Sequence, residues 1–220
     1  MQKISRKTLT DQIYEILREE IIQQNIVSGT RLQFKELQEK YSISSSPLRE
    51  AMNRLYQDGL VTYFSNKGAQ VVTFTEADVN EVYDLYCELD CIAIRYAFDS
   101  GKVEEMYVDL KNNLVETGKC LETGSFMEFN RLSDDFHNII YSYANNGRLL
   151  KMANQLRGQF TILSNLYEEK MENRQAIYDN HSEILKRLID DDIKGVVELV
   201  RNSFNSSKSF VLERMKAADS

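Results

Sequence analysis

Both histidines of the chain lie where a helix would turn them toward its apolar face. His181 belongs to a stripe with the steps of four, three and four residues that fit a helix: Ile177, His181, Ile184 and Leu188. His137 follows Ser133 by one helical turn, and Ser203 lies on an apolar stripe of a later segment. Polar groups inside a helical core cost free energy unless they are paired. We expect these groups either to satisfy one another and water or to bind a ligand.

A second set of polar residues surrounds the one proline of the chain, Pro47. Proline is tolerated in the first turn of a helix, and the hydroxyls of Ser44, Ser45 and Ser46 are expected to cap the same turn. The outer face of this helix carries Arg49, Asn53 and Arg54. Arginine can bind guanine through two hydrogen bonds, asparagine suits adenine or phosphate, and a helix N-terminus attracts phosphate. The pattern predicts a helix that reads DNA, and the alternative is an ordinary exposed helix face.

The elements around this helix predict a winged helix-turn-helix. Two helices precede it, Gly59 ends it, and two short β-rich segments follow it. Lys67 and Gly68 lie in the turn between these segments, where a wing reaches the DNA backbone or minor groove. The predicted elements are helices over residues 10–24, 34–41 and from about 47 to 58, and strands over residues 60–64 and 70–74.

The chain after residue 74 changes character. Helical stripes without strand signals predict about six helices, packed as an antiparallel bundle. Helix starts are predicted near Thr75, Ser125 and Asn146, from residues that resemble caps. We therefore expect a mainly α protein with a DNA-binding domain over residues 1–74 and a helical domain over residues 75–220.

Composition and charge limit the classes of function that the chain can have. Of 220 residues, one is proline, nine are glycine and none is tryptophan, which favours helices. The three cysteines form no disulfide pattern, and no apolar leader or membrane-length run is present, so a cytoplasmic location is expected. The net charge is +2 over residues 1–74 and −9 over the rest. Only the first part suits nucleic acid. The common phosphate-loop, zinc-protease and serine-hydrolase motifs are absent, which argues against an enzyme.

The N-terminal part resembles the DNA-binding domain of GntR-family transcription regulators. The stretch SSSPLREAM, residues 44–52, is similar to the family signature S-R-T-P-V-R-E-A-L, and Gly59 and Gly68 fall in register. The family usually has arginine where this chain has Ser45. The resemblance therefore implies that one DNA contact is lost while Arg49 keeps a second.

The rest of the chain resembles the all-helical ligand domain, or FCD domain, of the FadR-type branch of that family. The similar stretches are DDFHNIIYSYANNGRLL and DNHSEILKRLIDDDIKGVV. In many members an aspartate and three histidines bind a divalent metal, and the corresponding positions here are Ser133, His137, His181 and Ser203. Only His137 and His181 remain as metal ligands, and two imidazoles alone make a poor site. The family's arginine on the first helix of this domain is replaced by Tyr86.

The resemblance implies a homodimeric regulator, most commonly a repressor, that binds a pseudo-palindromic operator and responds to a small molecule. The expected effector-binding residues are Tyr86, Ser133, His137, His181 and Ser203. The effector would be an organic acid or, because two metal ligands and the arginine of the family are replaced, a less anionic metabolite. Two alternatives stay open: a metal-dependent enzyme built in the helical bundle, and a DNA-binding dimer whose bundle is only structural.

Overall fold

The computed structural model of the chain describes residues 7–64, 68–123 and 126–218. These residues form two compact units. The first runs to Thr75 and includes Gln155–Ile162, and the second comprises Glu76–Asn154 and the chain from Leu163 onward. The elements are α1 Leu9–Ile22, β1 Arg31–Leu32, α2 Phe34–Tyr41, α3 Ser45–Gln57, β2 Val61–Phe64, β3 Gly68–Val71, α4 Glu76–Asp99, α5 Val103–Thr123, α6 Phe126–Tyr143, α7 Gly147–Glu168, α8 Met171–Ile189 and α9 Ile193–Ala218.

Helix α1 begins with a reciprocal cap and packs against α3. The Thr8 hydroxyl accepts from the backbone N–H of Asp11, and the Asp11 carboxylate accepts from the backbone N–H of Thr8. This capping box satisfies backbone groups that the first turn cannot pair internally. The stripe Ile13, Leu17 and Ile21 is buried in the core of the unit.

Helix α3 ends at the predicted glycine. Gly59 has a φ of 67°, a left-handed conformation that glycine adopts without steric cost. Its N–H donates to the carbonyl of Tyr56, and the N–H of Leu60 donates to the carbonyl of Leu55. These two bonds are the Schellman arrangement, which closes a helix and turns the chain away from its axis.

The sheet that follows α3 has three strands in the order β1-β3-β2, so the prediction of a two-stranded ribbon was wrong in strand number. β2 pairs antiparallel with β3, with Val61 opposite Val71. β1 adds two residues to the other edge of β3, with Arg31 opposite Gln70 and Leu32 opposite Ala69. The predicted wing residue Lys67 lies outside the described residues, as does Ser125, a predicted helix start.

The second unit is a helical bundle, as predicted, and α4 to α9 provide its described helices. Helix α4 packs against α6 and α9, and α5 packs against α6 and α8. The largest side chains buried in this unit include Tyr83, Phe129 and Phe136. Asn146 caps α7 by accepting from the N–H of Leu149, as expected from its position. In the described part of the chain, no helix has the length and apolarity needed to cross a membrane.

Candidate functional site

The N-terminal end of α3 is open to solvent. Ser44 is the N-cap residue, but its side chain makes no capping hydrogen bond, which corrects the expectation that the serines cap this helix. Ser44, Ser45 and Ser46 are all exposed, and Pro47 lies in the first turn as predicted. The first turn of a helix presents backbone N–H groups and the positive end of the helix dipole. This end of α3 can therefore receive a phosphate group from outside.

Arg49 is exposed one turn further along α3. Its guanidinium lies 5.8 Å from the ring centroid of Phe34, the first residue of α2. Within the described ranges it forms no ion pair with an acidic side chain. A surface guanidinium without an acidic partner keeps its hydrogen-bond donors for a ligand. Arg49 is thus suited to bind a base edge or a phosphate.

Asn53 lies beside an aromatic surface that the sequence analysis did not identify. The Tyr63 hydroxyl, on β2, donates to the side-chain oxygen of Asn53 at 3.4 Å. The rings of Tyr63 and Tyr56 have centroids 5.4 Å apart, and Phe64 is also exposed. The alternation of side chains along β2 could have indicated this contact, because it turns Tyr63 to the same side of the strand as Val61. The strand thereby joins α3 at the predicted DNA-reading surface.

Arg54 occupies a different environment from Arg49. Its guanidinium binds Asp11 at 2.8 Å and stacks over the ring of Tyr14, with its central carbon 3.9 Å from the centroid. Hydrogen bonds from Thr8 and then from Arg54 lower the pKa of Asp11 to about 2. The Tyr14 hydroxyl donates to Asp58 at the end of α3. The structure pairs Arg54 with Asp11 where α1 packs against α3, and its side chain is still 39% exposed, so its predicted contact with DNA stays a prediction.

Gly68 begins β3 and is exposed, with a φ of 80° that disfavours other residues. This backbone conformation fits the tight turn predicted at the tip of the wing.

The interior of the helical unit contains a layer of three polar side chains, one from each of three helices. Asp90 of α4 is 2% exposed and His181 of α8 is 3% exposed. His137 of α6 places its Nδ1 atom 2.7 Å from the Oδ2 atom of Asp90. The rings of His137 and His181 cross edge to face with centroids 5.3 Å apart. We call Asp90, His137 and His181 the polar layer.

His181 is held by an aromatic neighbour. Its ring is stacked on Phe136, with centroids 3.9 Å apart and planes within 4° of parallel. Burial, and then the nearby His137, hold the pKa of His181 well below its usual value, so the ring is neutral at pH 7. Its Nδ1 atom is buried and has no hydrogen-bond partner in the described structure.

The other predicted effector-binding residues lie around the polar layer at different depths. Tyr86 is buried with its ring centroid 6.2 Å from that of Phe204, and Ser133 is buried on α6. Ser203 is only partly buried. Ser207, one turn later on α9, is buried instead, and its hydroxyl lies 2.8 Å from that of Tyr83.

The residues of the layer do not fit the divalent metal that the family resemblance implies. Serines occupy two of the four ligand positions, and Asp90 lies against one nitrogen of His137. Across the described residues, no group of three or more histidine, cysteine, aspartate or glutamate side chains is arranged to hold a metal ion.

Glu168 is a second buried acid that the sequence analysis missed. It is 6% exposed at the end of α7. Burial, and then the charge of Asp134, raise the pKa of Glu168 well above its usual value. With its amide oriented to satisfy its neighbours, Asn130 donates to Glu168 Oε2 at 2.7 Å. The position of Glu168 at the end of a predicted helix gave no signal of burial.

A narrow apolar cavity, too small to hold a water molecule, lies on the C-terminal side of the polar layer. Ile94, Ile140 and Ile184 each follow a polar-layer residue by one turn of the same helix, and all three line this cavity. Leu188 and Val196 also line it. Apolar side chains one helical turn further along therefore pack directly beside the polar layer.

Comparison with known proteins gives two matches to family models. One is described as bacterial regulatory proteins, gntR family, and covers residues 9–71. The other is described as the FCD domain and covers residues 81–206. Together they include the DNA-facing helix and the polar layer.

Two relatives illustrate the similarity in sequence. An uncharacterized HTH-type transcriptional regulator of Bacillus subtilis, YdhC, is 30% identical over 139 residues, which are 63% of this chain and 62% of that protein. The match thus spans less than two thirds of that relative. The gluconate operon transcriptional repressor of Bacillus licheniformis is 27% identical over 194 residues, 86% of this chain and 79% of the repressor.

Two solved structures share the fold. A GntR transcriptional regulator from Rhodococcus superposes with a TM-score of 0.76 at 20% identity, covering 93% of this chain and 97% of that one. McbR/YncC of E. coli superposes with a TM-score of 0.81 at 21% identity, covering 96% of this chain and 100% of that one. At these identities the superposition shows the fold alone.

Proposed function

Because the chain belongs to the gntR family of bacterial regulatory proteins, which are transcription regulators and not enzymes, we propose that it binds operator DNA through α3 and responds to a small molecule in its helical domain. The observation that carries the DNA-binding part is the exposed end of α3. There the first-turn N–H groups, the serine hydroxyls and the Arg49 guanidinium share one surface. Backbone N–H groups and hydroxyls bind phosphate, and arginine reads base edges.

The operator is a pseudo-palindrome read by a homodimer. A single recognition helix covers only a few base pairs, so useful specificity normally requires two half-sites related by two-fold symmetry. The absence of the family's arginine at Ser45 shifts the preferred sequence away from the common family operator. Arg49 and Asn53 are the residues that read the bases, and Ser44 to Ser46 hold the phosphate backbone.

The effector binds in the polar layer and its surroundings, including Tyr86 and Ser133. Support comes from the buried polar atoms described above, because a core without a ligand role would gain stability from apolar side chains at these positions. An effector acts by binding more tightly to one arrangement of the protein than to another, with a typical coupling of about 1–3 kcal/mol. The Bacillus licheniformis relative is named a repressor, and we propose repression here too, in the cytoplasm.

The experiment that tests this function is selection of binding sites from random duplex DNA by the purified protein, followed by a salt titration on the selected site. We expect a symmetric consensus and an affinity that falls steeply with salt, because phosphate contacts release counterions. Failure to enrich any sequence, at several salt concentrations and with the protein shown to be folded, would contradict the proposal.

A second measurement distinguishes the proposed effector binding from the alternative of a purely structural bundle. If the helical domain binds a small molecule, that molecule raises the melting temperature of the protein. A screen of metabolites in which none stabilises the protein or alters its affinity for the selected site would favour the structural alternative.

A further inference from the structure

Two cysteines lie one helical turn apart on α4 and contact each other. Cys87 is 8% exposed and Cys91 is fully buried. Neither forms a disulfide, and their thiols hydrogen-bond each other. The proposed contacts with DNA and effector do not involve this pair. Two thiols held side by side can chelate an element that prefers sulfur to oxygen and nitrogen.

A groove between α4 and α9 opens beside Cys87. Its volume is about 160 Å³, and Cys87, Tyr83 and Phe204 are among the residues that line it. A cavity of about 150 Å³ is large enough for a benzene ring. The groove can therefore take a small organic group attached to an atom that is bound to the sulfurs. Its lining also includes two ion pairs, Arg201 with Glu88 and Lys208 with Asp84.

The spacing of the two cysteines favours a bridging atom over a disulfide. Cβ atoms one turn apart on a helix are about 5–6 Å from each other, whereas a disulfide needs a separation of about 3.5–4.5 Å. A single atom bonded to both sulfurs spans the longer distance without unwinding the helix. Zinc normally requires four ligands, so two thiols suit an element that needs only two bonds to sulfur. Trivalent arsenic with one organic group is such an element, and its pyramidal geometry keeps the two sulfurs close together.

The charges around the thiols favour a neutral adduct. Arg201, Glu88 and Asp90 act electrostatically on the pair. Arg201 binds Glu88 at 2.9 Å, and Asp90 lies 2.7 Å from Nδ1 of His137, so each of these charged groups has a partner of its own. A net charge left on the buried sulfurs would carry a desolvation cost that these existing pairs do not offset. An organic arsenic(III) group joined to two thiolates has no net charge.

We propose that Cys87 and Cys91 form a dithiol site for a trivalent organic arsenical, with the organic group in the groove between α4 and α9. The arsenic of R–As=O forms one bond to each sulfur. The two thiol protons leave with the oxide oxygen as one water molecule. Arsenic stays trivalent, so the reaction needs no oxidant or reductant.

The test is titration of the reduced, full-length protein with phenylarsine oxide in millimolar glutathione, followed by intact mass spectrometry. A monothiol competes away an arsenical held by one cysteine, whereas a chelate held by two resists it. We expect one phenylarsenic group per chain, removed by ethanedithiol. Tandem mass spectrometry of this adduct should place the group on the peptide that contains Cys87 and Cys91. Pentavalent phenylarsonate, the matched control compound, should leave the protein unmodified.

Cysteine variants separate the dithiol site from single-thiol binding. Cys87→Ala and Cys91→Ala each leave one thiol and should weaken binding in glutathione at least 100-fold, on the order expected for the loss of chelation. Cys120→Ala, the control, changes a cysteine of α5 and should bind as the parent does. A buried free cysteine packs as a small apolar side chain, so the alanine variants should fold, which circular dichroism checks.

Three outcomes would overturn the proposal. They are no stable adduct of the parent protein in glutathione, an adduct whose peptide contains Cys120, and an adduct that persists in a folded Cys91→Ala variant. The selection of an operator sequence is independent of all three, because the dithiol site lies outside the DNA-binding unit.

Discussion

Arg49 is the side chain whose removal most directly tests DNA reading. Arg49→Ala should weaken binding to the selected site by about 1–3 kcal/mol and relax the preference at one base position. The reason is that its guanidinium is exposed and lacks an acidic partner in the described structure. Fluorescence anisotropy with the selected duplex and with single-base variants measures both effects. Arg148→Ala, an exposed arginine at the start of α7, is the control and should bind as the parent does.

Glu168 makes the stability of the helical domain depend on pH. Because burial raises its pKa, the folded protein keeps a proton that the unfolded chain loses above its ordinary value of 4.5. Stability from this group is therefore full below pH 4.5 and declines as pH rises toward the folded pKa. Glu168→Gln removes this titration, so the variant should melt at a higher temperature than the parent at pH 7, with the difference shrinking toward pH 4.5.

Thermal melts across pH 4.5–8 measure this effect, and Glu172→Gln, an exposed acid on α8, is the matched control. Parallel pH profiles for the parent and Glu168→Gln would show that Glu168 is not a buried acid.

Sequence patterns identified some site residues and missed others for physical reasons. His181 was predicted to face inward because its neighbours at helical spacing are apolar, and it is buried. Asp90 was missed because acidic residues are normally exposed, although it lies one turn after Tyr86 on the same buried stripe. Ser203 was placed too deep, since its position on α9 is one turn away from the buried Ser207. A helical stripe defines a face, but only packing defines the depth along it.

At the scale of elements, the cap of α1 contributes to the free energy of unfolding of the DNA-binding unit. Thr8→Ala removes the hydroxyl that accepts from Asp11, and it should destabilise this unit by about 1 kcal/mol. Urea unfolding followed by circular dichroism measures the loss. Thr8→Ser retains the hydroxyl and should restore most of the stability. Equal losses in both variants would show that the methyl group, and not the cap, is responsible.

The helices were predictable from sequence, whereas the sheet was only partly so. Helical stripes repeat over several turns, and Gly59 marks the end of α3 by its backbone conformation. β1 comprises only Arg31 and Leu32, too few residues to show alternation, and its pairing with β3 depends on residues distant in sequence. Such a strand exists only because β3 offers an unpaired edge beside a buried position for Leu32.

At the scale of the whole molecule, the proposed homodimer requires a fixed separation between the half-sites of its operator. Insertion of about half a helical turn of DNA, roughly 5 base pairs, between the half-sites should place them on opposite faces and weaken binding at least tenfold. Gel-shift titrations of the selected site and its lengthened forms measure this. A monomer that reads one half-site would be insensitive to the insertion.

The pairing of β1 with β3 has a consequence for how the DNA-binding unit opens. Strands that flank α2 and α3 in sequence are hydrogen-bonded to each other, so α3 lies in a segment closed at both ends. Buried amides that belong to one cooperative unit exchange with solvent when that unit opens, and they then share one free energy of opening. We expect the amides of Met52 and Leu55 in α3 to show the same free energy of opening as that of Val71 in β3, once deuterium exchange is corrected for intrinsic rates. The recognition helix would then be lost and regained together with the sheet, and not by fraying on its own.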